Sequence, residues 1–285
     1  MPKDQNTMSR AGWGRPGMWM AMGLILAATS LLLAPAFSLA EAVGQAELAK
    51  KVQNPVADLI SVPLQNNWDF GIGPENATRY LFNVQPIVPF SLSEQLMLIT
   101  RTIVPIIHAE APVAGLNSKT GLGDILQSFF LVPVQDDPGS LGWGVGPVLL
   151  WPAATDDALG TGKWGAGPTA VAVLQKHGWT VGMLANHVWS YAGDNDRTYV
   201  NASLVQPFVS YLTKTYTTFG VTSETSYDWN ASELTVPVNL TVSQMFRIGK
   251  LPFQVGLGPR IYVDQPSGGP DWGMRFTLTM LLPGI

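Results

Sequence analysis

The C-terminal part of the chain alternates between apolar and polar side chains over three long runs. These runs are residues 234–243, 251–264 and 272–280. A period of two residues sends successive side chains to opposite faces of a β-strand. One face of each run is apolar, whereas the other carries arginine, asparagine and threonine. Lipid on one side and water on the other would produce this pattern, so the sequence predicts an all-β fold, a transmembrane antiparallel β-barrel.

The composition favours the same fold class. The chain has 46% hydrophobic but only 13% charged residues, whereas soluble globular proteins have about 25% charged residues. Its 29 glycines and 22 prolines indicate many turns and few long helices. There is no cysteine, which excludes disulfides and thiolate chemistry. No basic patch with interleaved aromatic residues indicates nucleic acid as a partner.

Residues 1–40 have the pattern of a secretory signal peptide. Three basic residues precede the only long apolar run, at 18–34, and small residues follow at the positions that a signal peptidase reads. We expect the mature chain to begin near Glu41. Export across the inner membrane, together with a barrel, predicts a bacterial outer-membrane protein.

Residues 41–63 are not expected to form a strand, because Pro55 and Pro63 lack the N–H group that a sheet needs. Two arrangements remain open for this segment, a periplasmic tail or a plug in the barrel lumen. The barrel is predicted to cover residues 64–285 and to have twelve strands. An even number of strands is typical of single-chain bacterial barrels. The twelve predicted strands are 64–72, 79–90, 95–107, 122–134, 141–152, 164–175, 179–191, 199–212, 216–228, 233–248, 251–263 and 272–282.

One set of polar side chains is predicted by the alternation to face the barrel interior. Four arginines among few acids would make this lumen positive, and such a field selects solutes. We expect a small organic anion or aromatic acid to pair with Arg260 and Arg275. The alternative is a filled barrel in which these side chains pair and nothing passes, since twelve strands lie between filled barrels and wide porins. The predicted pore-lining residues are Arg79, Asn83, Arg101, Glu224, Asn239, Arg260, Tyr262, Asp264 and Arg275.

Little in the sequence indicates catalysis. The histidines His108, His177 and His187 lack metal-ligand spacing, so no metal and no cofactor is predicted. An outer-membrane lipase is the enzymatic alternative, with His187 facing lipid and Ser190 or Ser203 as its partner. An interfacial histidine beside a girdle of tryptophans explains the same residues, and no enzyme is predicted.

Several short motifs also carry a family resemblance. They are residues 54–61, 65–67, 121–124, 186–190, 192–194, 206–208, 227–229, 237–239, 258–260 and 269–273, with Arg275. With these motifs the chain resembles the bacterial outer-membrane barrel family labelled "transporter" or "phenol meta-pathway degradation-like", often mislabelled neuromedin U. The resemblance runs from residue 54 to the C-terminus. It implies an outer-membrane barrel and passage of small organic molecules, without catalytic residues.

The sequence therefore predicts a passive outer-membrane channel, with outer-membrane lipid and small organic solutes as its partners. A non-conducting barrel with a structural or surface-interaction role is the alternative. The outer-membrane assembly machinery is a further expected partner, and it commonly reads an aromatic residue at the end of the last strand. This chain instead ends on residues 281–285 without an aromatic, so recognition is expected to use residues 276–282.

Overall fold

The computed structural model describes residues 39–135, 139–249 and 251–282. The predicted signal peptide lies outside the described residues except for its last two positions, and residues 283–285 also lie outside them. Helix α1 spans Leu39–Lys51 and precedes the first strand. Within the described ranges, no helix is both long and apolar enough to cross a membrane.

Within the part of the chain that the structure describes, fifteen strand segments form one closed antiparallel sheet. Each passage of the chain along the barrel wall is termed a crossing. Successive crossings pair with each other, and the first strand pairs with the last. Three crossings consist of two segments each, so the fifteen segments make the twelve-stranded barrel that the sequence predicts. The segments are β1 (Ile60–Ile72), β2 (Ala77–Val84), β3 (Ile87–Ser91), β4 (Leu96–Ala109), β5 (Lys119–Leu122), β6 (Ile125–Pro133), β7 (Gly142–Trp151), β8 (Lys163–Lys176), β9 (Trp179–Gly193), β10 (Asn201–Leu212), β11 (Thr217–Ser223), β12 (Thr225–Asp228), β13 (Glu233–Ile248), β14 (Leu251–Asp264) and β15 (Trp272–Leu282).

The outer surface of the barrel is apolar. Val181, Met183 and Phe219, which sit on alternate positions of their strands, are 51–52% exposed. Tryptophans are exposed near strand ends on the same surface, namely Trp143, Trp164, Trp179, Trp189, Trp229 and Trp272. Exposed apolar area on this scale, flanked by amphipathic rings, is what a bilayer covers.

The first strand begins at Ile60, earlier than the predicted start at residue 64. The prediction that residues up to 63 form no strand is therefore wrong for residues 60–63. Pro63 is tolerated because its carbonyl accepts a hydrogen bond from Gln85, and Gln85 lies where β2 gives way to β3. Pro63 thus lies opposite the break between β2 and β3, where the neighbouring crossing is not a continuous strand, so its lack of an N–H group is tolerated.

Prolines lie beside the other two interrupted crossings as well. The N–H of Gly123, between β5 and β6, donates to the carbonyl of Pro105 at 2.9 Å, and the N–H of Glu224, between β11 and β12, donates to Pro237 at 3.3 Å. Since proline accepts but cannot donate, the facing strand loses one hydrogen bond of the ladder. The breaks release Gln85 and Glu224 from regular pairing.

Gly258 allows a close approach between β13 and β14. A Cβ atom at this position would overlap the carbonyl oxygen of Leu240. The register of the two strands is continuous across this approach, from the pair Asn239–Arg260 to the pair Val242–Leu257, and it shifts between Val236 and Pro237. A residue without a side chain is required at this point of β14, two positions before Arg260.

Candidate functional site: the barrel lumen

Polar side chains from neighbouring strands meet inside the barrel and form what is termed here the lumen network. Most of its members are buried, although they include five charged groups. Its residues are Asn67, Asp69, Arg79, Glu224, Asn239, Arg260, Tyr262 and Arg275.

Glu224 is the central acceptor of the network. Arg275 donates from Nη1 and Nη2 to the two carboxylate oxygens at 2.7 and 2.8 Å. Arg260 donates from Nη1 to the same carboxylate at 2.8 Å. The side chains of Arg275 and Arg260 are only 7% and 11% exposed. Charge-assisted and bidentate hydrogen bonds shielded in this way are among the strongest that proteins make.

Asp69 is the second carboxylate, and its side chain is 1% exposed. Arg79 donates to it at 2.9 Å and the hydroxyl of Tyr262 donates at 2.8 Å. The Nε atom of Arg260 lies 3.4 Å from the other side of the same carboxylate. Arg260 therefore joins Asp69 to Glu224 in one continuous network.

Two buried amides complete the network. The Oδ1 atom of Asn67 accepts from Nε of Arg275 at 2.7 Å, and Oδ1 of Asn239 accepts from Nη1 of Arg260 at 3.2 Å. Both amides face the lumen at positions with at most 1% exposure. The two guanidinium groups are thus held by partners from within the chain.

The lumen network occupies one half of the barrel wall. Its residues come from β1, β2, the β11–β12 crossing, β13, β14 and β15, which are neighbours in the sheet. The other half presents an apolar cluster into the lumen, built from Ile99, Phe130, Val132, Val171, Val173 and Leu184. The interior therefore has a charged side and an apolar side.

Residues 39–59, termed the N-terminal segment, contact both sides at the end of the barrel where β1 begins. Ala49 is fully buried and packs against Met245 and Leu281. Val56, which is 5% exposed, packs into the apolar cluster of the opposite wall. Because these two contacts lie on facing walls, the segment runs across the lumen.

A cavity of about 270 Å³ remains between the N-terminal segment and the barrel wall, and it is termed the lumen cavity. Arg101, Gln85 and Gln206 line it together with Leu184 and Phe208. Threonines of β11, β13 and β15 line it from the other side, and no acidic residue of the described ranges does. The side chains of the described residues leave the lumen partly open at this level.

Among the described residues, Arg101 is the cation lining the lumen cavity that makes no ion pair. Its Nη2 atom donates to Oε1 of Gln85 at 3.0 Å. No carboxylate in the described part of the chain forms an ion pair with it, whereas the other lining cation, Lys51, lies 3.7 Å from Glu47. A cation without an ion-pair partner beside open volume can bind an anion.

The nine predicted pore-lining residues lie in four different settings. Six are in the lumen network, namely Arg79, Glu224, Asn239, Arg260, Tyr262 and Arg275. Arg101 lines the lumen cavity instead. Asn83 is 8% exposed, and its Oδ1 atom has no hydrogen-bond partner among the described residues. Asp264 is exposed at the end of β14 and lies outside the network.

Asn67 and Asp69 were not predicted from the sequence. A signal for them exists, because they alternate with Trp68 and Phe70 and so share the face opposite the aromatic rings. The preceding residue Asn66 is polar as well, which hides the alternation at the middle of the strand.

At the far end of the barrel, residues 152–162 connect β7 to β8 and are termed the Asp124 loop. Asp124 accepts hydrogen bonds from both the N–H and the hydroxyl of Thr161 at 2.6 Å. Lys119 donates to Asp156 of this loop at 2.7 Å. That hydrogen bond, aided by a backbone N–H within the loop, lowers the pKa of Asp156 below its ordinary value. The loop is held in place by these two residues, Lys119 at the start of β5 and Asp124 between β5 and β6.

Catalytic and metal chemistry find little support in the geometry. On the outer surface Nδ1 of His187 lies 2.7 Å from Oγ of Ser203, to which Trp229 also donates at 2.9 Å. The Nε2 atom of His187 is buried without a hydrogen-bond partner in the described ranges, so no group orients the imidazole as serine catalysis requires. Ser190 accepts from a backbone N–H instead. The described residues contain no group of three or more histidines and acids that could hold a metal ion.

The fold is similar to that of known outer-membrane proteins. A crystal structure of an outer membrane channel from Pseudomonas putida F1 superposes with a TM-score of 0.61 and 14% sequence identity, covering 79% of this chain and 94% of that chain. At this identity the likeness shows the fold alone. No family model and no curated protein sequence matches the chain.

Two phospholipases are more distantly similar. Outer membrane phospholipase A from Escherichia coli gives a TM-score of 0.45 with 14% identity over 84% of this chain and 97% of that chain. The outer membrane phospholipase of Salmonella typhi, a dimer with bound calcium, gives 0.43 with 11% identity over 84% and 96% of the two chains. Similarity at this level carries no conclusion about activity.

Proposed function

We propose that this protein is an outer-membrane channel for passive uptake of small organic solutes, and that residues 39–59 plug its periplasmic mouth. The observation that carries the proposal is the lumen cavity of about 270 Å³. Side chains fill the interior of small structural barrels. A barrel with a purely structural role has no need of an open, polar-lined volume closed by a separate segment.

The outer surface supports the membrane location. Apolar side chains cover it and tryptophans lie near the strand ends, as expected for contact with outer-membrane lipid. The similar structure from Pseudomonas putida F1 is an outer membrane channel. We extend both the location and the channel activity to this chain, together with the expected use of the outer-membrane assembly machinery.

The division of the lumen supports a path for solutes. The arginines and carboxylates of the lumen network are tied to one half of the wall by hydrogen bonds within the chain. An organic solute can therefore move along the apolar half without separating an ion pair. Passage requires that the N-terminal segment move, because Ala49 and Val56 anchor it to opposite walls.

The same network favours the alternative function, a non-conducting barrel. Glu224 satisfies both Arg260 and Arg275, and such closed networks also stabilise barrels that carry nothing. The two functions differ in one respect. Only a channel should change its conductance when the N-terminal segment is restrained.

A disulfide between the segment and the wall provides the test. A Cβ atom on Gly142 would lie 3.1 Å from Cγ2 of Val56, which suits a Val56→Cys/Gly142→Cys pair. The natural chain has no cysteine, so no other thiol competes. In planar bilayers the oxidised variant should be silent and should regain conductance steps on reduction. The single variant Val56→Cys, treated with the same oxidant and reductant, is the control.

Removal of residues 41–59 gives the second arm of the test. The deletion ends before Ile60, so that β1 stays intact. Larger conductance steps than those of the full mature chain would support a plugged channel. Silence of the mature chain, the reduced disulfide variant and the deletion variant would instead establish a non-conducting barrel.

A further inference from the structure

We propose that the lumen cavity is a binding site for small monocarboxylates with an apolar body, such as aromatic acids, and that Arg101 with Gln85 holds the carboxylate. This inference rests on the proposed channel, because it names the class of solute that the channel takes. It also moves the expected anion contact away from Arg260 and Arg275. Those two arginines already share Glu224.

The charge balance of the lumen favours an anion. Among the described residues of the lumen network and cavity, four arginines face only two carboxylates, Asp69 and Glu224. Both carboxylates are engaged by the other three arginines. Arg101 is left with one neutral acceptor, the Oε1 atom of Gln85. A bound carboxylate would supply the missing charge.

The position of Arg101 allows its guanidinium group to bind both oxygens of a carboxylate. Gln85 stands at the break between β2 and β3, and Ile87 of β3 is the direct strand partner of Arg101. Gln85 therefore holds the guanidinium from one side and leaves its remaining donors for a ligand. A planar guanidinium matches the two oxygens of a carboxylate.

The rest of the lining defines the body of the ligand. Ile87, Leu184 and Phe208 give the cavity that Arg101 lines an apolar part, to which Phe208 contributes an aromatic side chain. Thr241, Thr277 and Thr279 line the cavity as well. The volume of about 270 Å³ is just below the roughly 300 Å³ at which ligand pockets usually begin. The site suits one small ring or short chain with one acid group.

Calorimetry with benzoate on the purified full mature chain in detergent tests the site. Benzyl alcohol, which has a similar shape and no charge, is the ligand control. Benzoate should bind saturably and more tightly than benzyl alcohol. Arg101→Met should weaken benzoate binding by about tenfold or more, since one charge-assisted contact is lost. Arg101→Lys should retain part of the affinity, and Lys176→Met, which removes an exposed cation at the end of β8 outside the cavity, should change it little.

Gln85→Glu provides a second test in case Arg101→Met fails to fold. It places a carboxylate where the amide now contacts Arg101, so it should compete with benzoate and weaken binding to a similar extent. Gln95→Glu, in the exposed turn between β3 and β4, makes the same charge change outside the cavity and should have no effect. Equal binding of benzoate and benzyl alcohol, or benzoate binding that ignores both cavity variants, would overturn the proposal.

The outcome is separable from that of the channel. Benzoate binding that depends on Arg101 in a protein without conductance would keep the site and reject the channel. Conductance without such binding would keep the channel and reject the site.

Discussion

Replacement of Glu224 by glutamine should destabilise the barrel by about 3 kcal/mol. Glu224 accepts three charge-assisted hydrogen bonds from Arg260 and Arg275, whose side chains are 11% and 7% exposed. Removing one partner of a buried ion pair costs about 3–5 kcal/mol, because the other charge stays buried and unpaired. Arg260 keeps Asp69 at 3.4 Å, which places the expected loss at the lower end of that range.

The loss should arise mainly from Arg275, which keeps only the amide of Asn67 as an acceptor. The double variant Glu224→Gln/Arg275→Met should therefore recover much of the stability that Glu224→Gln loses. The coupling energy between Glu224 and Arg275 should exceed that between Glu224 and Arg260, since the first pair is bidentate.

Urea unfolding of the protein refolded into lipid vesicles, followed by tryptophan fluorescence, gives these free energies. Glu233→Gln is the control, because Glu233 is exposed at the start of β13 and makes no ion pair among the described residues. A loss below about 1 kcal/mol for Glu224→Gln, the usual value of an exposed ion pair, would refute the reasoning. An equal loss for Glu233→Gln would do the same.

Three further predictions concern the wall and the loops. Gly258→Ala should lower the free energy of unfolding by about 3 kcal/mol in the same assay, the upper end for overpacking, because the added Cβ would overlap the carbonyl of Leu240. An unchanged free energy would show that β13 and β14 can separate at this point. Asp124→Asn should loosen the Asp124 loop and speed its cleavage by added protease without changing barrel stability, and unchanged cleavage would assign the hold to other contacts. Because the pKa of Asp156 is lowered, its pairing with Lys119 stabilises the loop at pH values above the ordinary pKa of 3.8, and this stabilisation is lost as the pH falls through the pKa of the folded protein. Lys119→Met should raise the pKa of Asp156 toward 3.8 in an NMR titration. An unchanged pKa in this variant would show that Lys119 is not the cause of the shift.

The sequence predicts the later strands well. The predicted spans 233–248 and 272–282 coincide with β13 and β15, and 251–263 falls one residue short of β14. Contact with lipid on one face and polar groups on the other makes the alternation strict in these strands. The start of β1 is less predictable, because Pro63 argues against a strand unless the break at Gln85 is known.

The site is predictable only in part. The alternation of side chains along β14 and β15 places Arg260 and Arg275 inside the barrel. Their shared partner Glu224, however, lies 36 and 51 positions away along the chain. Which inward side chains meet depends on the strand register, and the sequence does not state it. For the same reason the sequence does not distinguish the paired arginines from Arg101, whose neighbour Gln85 is released by a break in its strand.

The closure of β1 against β15 has a consequence for the order of assembly. Asn67 binds Arg275 across 208 positions of the chain, and Tyr262 binds Asp69 across 193. The pairing of Arg275 with Glu224 spans only 51 positions and lies wholly within the last crossings. Contacts between nearby segments form before contacts between distant ones, because they lose less chain entropy. Glu224 can therefore neutralise Arg275 while the sheet is still open, and Asn67 and Asp69 join last, as the two ends of the sheet meet.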